Sequence, residues 1–161
     1  MAELDKLLGP LYLKEKEIRK LIELLYFSYR FSVIKNDKNL KKMGFSSSHY
    51  RIIYFVGNYK EMTIQNLIKV LKTTKQSISR LVNELVAKKY LILSIGFDKR
   101  TKLLKLTKKG NDLEKKISNN QSLLLKNILI NFDEDEINTF KKIVYSIINS
   151  DGKKIFNDLN K

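Results

Sequence analysis

Two clusters of side chains in this 161-residue chain have the types and spacing to grip a polyanion. The first is Thr73, Thr74, Lys75, Gln76, Ser77, Ser79, Arg80 and Asn83, a run of hydroxyls, amides and cations. Short hydroxyls and amides near a helix N-terminus can bond phosphate oxygens or base edges, helped by the free backbone N–H groups there. Arg80 could hold a guanine through two parallel hydrogen bonds, or clamp a phosphate. The second cluster is Asp98, Lys99, Arg100 and Lys102. An arginine carried on a narrow projection suits an AT-rich minor groove, where negative potential is concentrated. Asp98 can bind the Arg100 guanidinium or the backbone of a turn and so hold the shape of the tip. Lys99, Lys102, Lys105, Lys108 and Lys109 suit phosphate contacts, which give affinity and salt dependence without reading sequence.

Other chemistries find little to work with. There is no cysteine, which excludes disulfides, thiolate metal sites and thiol redox switching, and His49 is the one histidine. No cofactor and no metal are expected. The carboxylates of Asp133-Glu134-Asp135-Glu136 precede an apolar helical pattern and read as its N-terminal cap, where negative charge is favourable. No nucleophile–base pair or phosphate loop stands out, so an enzyme acting on an anionic substrate ranks last among the readings. No apolar run approaches the length of a membrane span. Met1-Ala2-Glu3-Leu4-Asp5 lacks the basic-then-apolar order of a secretory signal. The expectation is a soluble, cytoplasmic protein that does not touch a membrane.

The net charge of +15 comes from 32 basic and 17 acidic residues. Lysine supplies 27 of the basic residues and arginine only 5, a bias that a Lys-, Ile- and Asn-rich composition can produce on any solvated face. Distribution separates bias from purpose. Between Lys69 and Lys116 lie 14 basic residues and 4 acidic ones, so this stretch alone carries a net +10. A local positive field suggests a binding face for nucleic acid.

The elements that must position these groups are mostly helical, since one proline and six glycines leave few breaks. Ile18, Leu21, Ile22, Leu25 and Tyr29 repeat at helical spacing and predict a helix from Glu15 to Lys35. Asn36 to Gly44 reads as a polar connection. Ser46 or Ser47 should cap a second helix, with Tyr50, Ile53, Tyr54 and Gly57 inward. Thr63 should cap a short third helix carrying Ile64, Leu67, Ile68 and Leu71. After Lys72-Thr73 a fourth should run from Thr74 to Lys88 over Ile78, Leu81, Val82 and Leu85, completing a helix-turn-helix. Residues 90–95 and 103–106 then switch to β-formers around the polar connection 96–102, predicting a hairpin with a charged tip. Thr107 should cap a helix from Lys108 to about Ile130, and a last helix should cover Glu134 to Asn149.

That order describes a winged helix-turn-helix. Within it, Asp98, Arg100, Leu106, Thr107 and Gly110 resemble the wing pattern of the multiple-antibiotic-resistance regulator (MarR) family: Asp-x-Arg, an apolar strand, then Leu-Thr-x-x-Gly opening a helix. The segment Phe45 to Tyr50 resembles the start of the family's second helix, with His49 where Gln is common. Residues 63–67 and 76–85 resemble its helix-turn-helix. The match covers about residues 45 to 117 by motif and the flanking helices by layout. The sequence departs from the pattern at Lys89, where Gly is usual, at Leu93, where a polar residue is usual, and at Ile68, where Ala is typical.

The resemblance implies a mainly α fold with a small β-hairpin wing. It implies one MarR-like domain over 1–161, with a DNA-binding lobe at 45–109 and a helical dimerisation region at 11–40 and 110–161. It further implies a homodimeric transcription regulator on a pseudo-palindromic double-stranded DNA operator. Helix 74–88 would lie in the major groove and wing 96–102 in the minor groove. Leu21, Leu25, Phe140, Val144, Ile147, Ile148 and Phe156 would contribute to the dimer interface. Many members release DNA on binding a small aromatic compound, for which Tyr26, Tyr29, Arg30, Tyr50 and Tyr54 could line a pocket, although aromatics at helical spacing are more often core. Repression is then the family-level expectation. A sequence-tolerant architectural DNA binder of the same fold is the alternative reading.

Overall fold

The computed structural model describes residues 13–32, 37–96 and 102–160. Its helices are α1 (Glu15–Phe27), α2 (Asp37–Lys42), α3 (Ser47–Asn58), α4 (Ile64–Leu71), α5 (Lys75–Ala87), α6 (Lys108–Leu129), α7 (Glu134–Ile147) and α8 (Ser150–Leu159). Strands β1 (Leu91–Ile95) and β2 (Lys102–Leu106) lie between α5 and α6. The chain divides into two compact units, residues 1–39 and 40–161. Among the described residues no helix is long and apolar enough to cross a membrane.

In the first unit, α1 ends earlier than its apolar spacing suggests and passes into a π-helical turn, Ser28–Ser32. None of its residues is buried within the chain. Leu21, Ile22, Leu24, Leu25, Phe27 and Phe31 all stand exposed.

The second unit is built on caps that the sequence announces. Ser46 and His49 form a capping box at the start of α3, and Thr63 Oγ1 accepts from the Asn66 N–H at the start of α4. Thr74 and Thr107 do the same for α5 and α6, and Asp133 with Glu136 closes a capping box on α7. Each cap satisfies a backbone donor that the helix itself cannot. The core gathers Ile52, Ile53 and Val56 from α3, Leu67 from α4, and Ile78, Leu81, Val82 and Leu85 from α5. Tyr90, Leu91 and Leu104 close it from the wing side, and Ile117 from α6.

Three further details depart from the reading of the sequence. The polar connection before Phe45 contains α2, whose Leu40 is fully buried in the core. Burying Leu40 contributes about 2 kcal/mol toward holding this short helix on the core, and the Phe45 N–H donated to the Leu40 carbonyl at 2.8 Å closes its C-terminal end. Gly57 is exposed rather than inward, although a Cβ there would meet Leu106 Cδ1 at 2.8 Å. After α7 a further helix, α8, begins behind the Asn149 cap.

The strands pair antiparallel, with Leu91 opposite Leu106, Leu93 opposite Leu104 and Ile95 opposite Lys102. A bridge between Thr63 and Leu103, and the Leu104 N–H donated to the Met62 carbonyl, tie the hairpin to the entry of α4. The hairpin is therefore fastened along β2 to the helix-turn-helix.

The exit from α5 is a Schellman turn. The Tyr90 N–H donates to the Leu85 carbonyl and the Lys89 N–H to that of Val86, with Lys89 at φ +61°. This is the left-handed position at which the MarR pattern has glycine.

Candidate nucleic-acid interface

Helix α5 is locked inward by Ile78, Leu81, Val82 and Leu85, which fixes what it turns outward. Lys75, Gln76, Arg80 and Asn83 are exposed, and Thr73, Ser77 and Ser79 are half-buried. Thr74 is exposed, but its hydroxyl oxygen already accepts the Ser77 N–H at 3.2 Å. Beside the N-terminus of α5 lies a recess of about 240 Å³, lined by Ser48, Arg51, Lys72, Thr73 and Ser77 above Leu71, Ile78 and Leu81. All eight residues of the first cluster thus fall on one helix and its approach.

Of the second cluster, Lys102 opens β2 and is exposed. Asp98, Lys99 and Arg100 lie outside the described residues, in the stretch of sequence that joins β1 to β2. Lys105 and Lys108 are exposed on the same lobe.

Lys109 has an intrachain task. Its ammonium donates to the Lys88 carbonyl at 3.2 Å and sits 4.2 Å from the centre of the Tyr90 ring. A cation at the C-terminal end of α5 answers the helix dipole there, which offsets its poor position at the start of α6. Lys88 behaves similarly, donating to the Met43 and Gly44 carbonyls over the Phe45 ring.

Arg80 is not a free-swinging cation. Its Nη1 donates to Glu84 Oε1 at 2.9 Å, and Glu84 Oε2 lies 2.8 Å from His49 Nε2. The hydrogen bond from His49, with a smaller contribution from the Arg80 guanidinium, holds the Glu84 carboxyl below the usual range. The sequence marks His49 only as the one histidine, standing where Gln is common in the MarR pattern. The structure buries it between α3 and α5. The signal that could have found it is the Ser46-x-x-His49 spacing, which matches a capping box with an imidazole in place of Glu or Gln.

The aromatic residues considered for an effector separate between the two units. Tyr26, Tyr29 and Arg30 are exposed on the first. In the second, Tyr50 is buried and its hydroxyl donates to Gln121 Oε1 at 3.1 Å, while Tyr54 is half-buried against Phe55. Burial raises both phenols above their ordinary value. Among the described residues no group of three acidic or histidine side chains is arranged to hold a metal. Of the residues considered for a dimer interface, Leu21, Leu25, Phe140, Val144, Ile147 and Phe156 are exposed within the chain, and Ile148 is half-buried.

Residues 43–101 match the sequence model of the MarR family. The HTH-type transcriptional regulator PetP of Rhodobacter capsulatus is 33% identical over 117 residues, which span 72% of this chain and 70% of PetP. The chain belongs to the MarR family. The family is one of transcription regulators, not of enzymes, and the winged helix-turn-helix described above is its fold.

Solved structures agree with that fold. The transcription regulator MarR of Oenococcus oeni is 25% identical, with a TM-score of 0.64, over 81% of this chain and 99% of that one. FabT of Streptococcus pneumoniae, solved in complex with DNA, gives a TM-score of 0.70 at 21% identity, over 81% of this chain and 94% of that one. The MarR pattern explains Thr107 and Gly110 physically. Thr107 Oγ1 donates to the Lys89 carbonyl at 2.7 Å and accepts the Gly110 N–H at 3.1 Å, so one hydroxyl joins the end of α5 to the start of α6. Gly110 has no Cβ because one would lie 2.2 Å from the Tyr90 carbonyl oxygen.

Proposed function

We propose that this MarR-family chain is a sequence-specific DNA-binding regulator that works as a homodimer on a pseudo-palindromic operator. Helix 74–88 reads the major groove and wing 96–102 the minor groove. The observation that carries this reading is the outward face of α5. Its inner face is fixed in the core, and Lys75, Gln76, Arg80 and Asn83 stand exposed on its outer side. An α-helix fits the major groove, and Gln, Asn and Arg are the side chains that pair bidentately with base edges there. The complex of FabT with DNA supports the same use of this fold.

The second copy is supported by exposed apolar faces on α1, α7 and α8, none of which has a residue buried within the chain. Monomeric proteins seldom leave so much apolar surface in water. Two copies related by a two-fold axis would bring two α5 helices and two wings to two half-sites. Regulation by repression, relieved by a small aromatic ligand, completes the proposal.

Fluorescence anisotropy with duplex DNA from upstream of the protein's own gene, against a shuffled duplex of equal composition, tests it. Tight binding lost on shuffling is the expected result, weakening steeply between low and near-physiological salt. Arg80→Ala and Arg100→Ala should each weaken the specific complex by about tenfold or more, the worth of one good bidentate or groove contact. Equal binding to both duplexes would favour the architectural reading instead. No binding at either salt would sink the DNA assignment.

A further inference from the structure

His49 is the chain's single histidine, and it is buried. Its Nδ1 lies 3.0 Å from the Ser46 backbone nitrogen and 2.9 Å from Ser46 Oγ. A backbone N–H can only donate, so Nδ1 accepts and carries no proton. The ring proton is then on Nε2, where it donates to Glu84 Oε2 at 2.8 Å. Phe45 packs on the imidazole with ring centres 5.0 Å apart, and Lys88 sits 4.6 Å from the centre of the Phe45 ring. Packing and hydrogen bonds at both ring nitrogens therefore fix the ring.

Glu84 receives this order and passes it on. One carboxylate oxygen is held by a group anchored on α3, and the other accepts Arg80 Nη1. An exposed Arg–Glu pair one turn apart ordinarily contributes little, because both side chains can swing. Here the acid is tethered from a second helix, so the arginine meets a stationary partner. Bonding through Nη1 leaves the Nε–Nη2 edge for a guanine or a phosphate.

We propose that His49 is a positioning residue for Arg80: through Glu84 it holds the guanidinium in one orientation before DNA arrives, and so sets affinity and base preference where Arg80 reads. The proposal rests on the assignment of Arg80 to the DNA surface made above. Preorganisation matters because an arginine side chain otherwise gives up much of its rotamer freedom on binding.

Two measurements test it. With one histidine in the chain, a long-range ¹H–¹⁵N correlation spectrum reads the imidazole tautomer directly. The neutral Nε2–H form is expected; the Nδ1–H form would overturn the relay. The second measurement is a double-mutant cycle on the upstream duplex. His49→Phe keeps the ring packing and removes the hydrogen bonds at both ring nitrogens. It should weaken binding about fivefold in the parent protein, yet change it less than about twofold in the Arg80→Ala background.

Glu84→Gln removes the charged tether at a partly exposed site, outside the core, and should show the same non-additivity. His49→Gln, which offers an amide oxygen to Ser46 and an amide N–H to Glu84, should recover most of the loss. Equal losses from His49→Phe and Glu84→Gln with and without Arg80 would overturn the proposal, leaving His49 as a cap for α3 alone. If Arg80→Ala binds as tightly as the parent, the assignment of Arg80 fails first. That outcome differs from additive losses and removes the basis for positioning.

Discussion

Lys89 sits at φ +61° between two backbone hydrogen bonds that close the end of α5. A left-handed backbone costs an L-residue about 1 kcal/mol, and glycine escapes that cost. The Lys89→Gly variant should therefore gain about 0.5–1 kcal/mol, less than the full relief because glycine also loosens the unfolded chain. Urea denaturation followed by circular dichroism reads this directly; an unchanged or lowered midpoint would show that the strain is not there. The lysine was visible in the sequence as a departure from the MarR pattern. The positive φ follows only from the hydrogen bonds that Leu85 and Val86 accept. At the same scale, the outward residues of α5 were legible because four apolar residues at helical spacing leave a single polar side. The His49–Glu84 contact was not, since 35 residues separate them and no local pattern encodes which helices meet.

Among the elements, the start of α6 is the joint that holds the wing to the helix-turn-helix. Thr107 accepts from Gly110, donates to Lys89 and offers its own N–H to the Tyr90 carbonyl at 3.1 Å. The close approach leaves no room for a side chain at Gly110. Gly110→Ala should cost at least about 2 kcal/mol, because a methyl group 2.2 Å from a backbone carbonyl oxygen forces two elements apart. Thermal unfolding measures the loss; a drop of only a few tenths would mean the joint yields freely. Most helix starts were legible because Ser46, Thr63, Thr74 and Thr107 are good caps placed before apolar-periodic runs. Helix α2 was missed because a single Leu40 offers no periodicity. The early end of α1 was missed because its stripe continues through the π-helical turn.

For the whole molecule, the exposed apolar faces call for a partner. Phe140, Ile143 and Ile147 on α7 and Phe156 on α8 are all about half exposed in the single chain. If a second copy covers them, Phe140→Asp should convert a dimer to a monomer in sedimentation equilibrium and leave the winged lobe folded. Specific DNA affinity should fall with it, since one half-site contributes far less than two linked ones. A parent protein that sediments as a monomer, or a variant that remains a dimer through this face, would refute the assignment.

What the sequence determined by itself was local: caps, helical and strand periods, the charged stretch and the MarR-like wing, each written in residues a few positions apart. These suffice for the fold class because a helix or hairpin is specified by its own neighbours. Tertiary structure decided what depends on distant contacts. It put Leu40 in the core, gave Lys109 to the end of α5 and joined His49 to Glu84 and Arg80. Burial and cross-helix hydrogen bonds are properties of packed surfaces, and only packing brings those surfaces together.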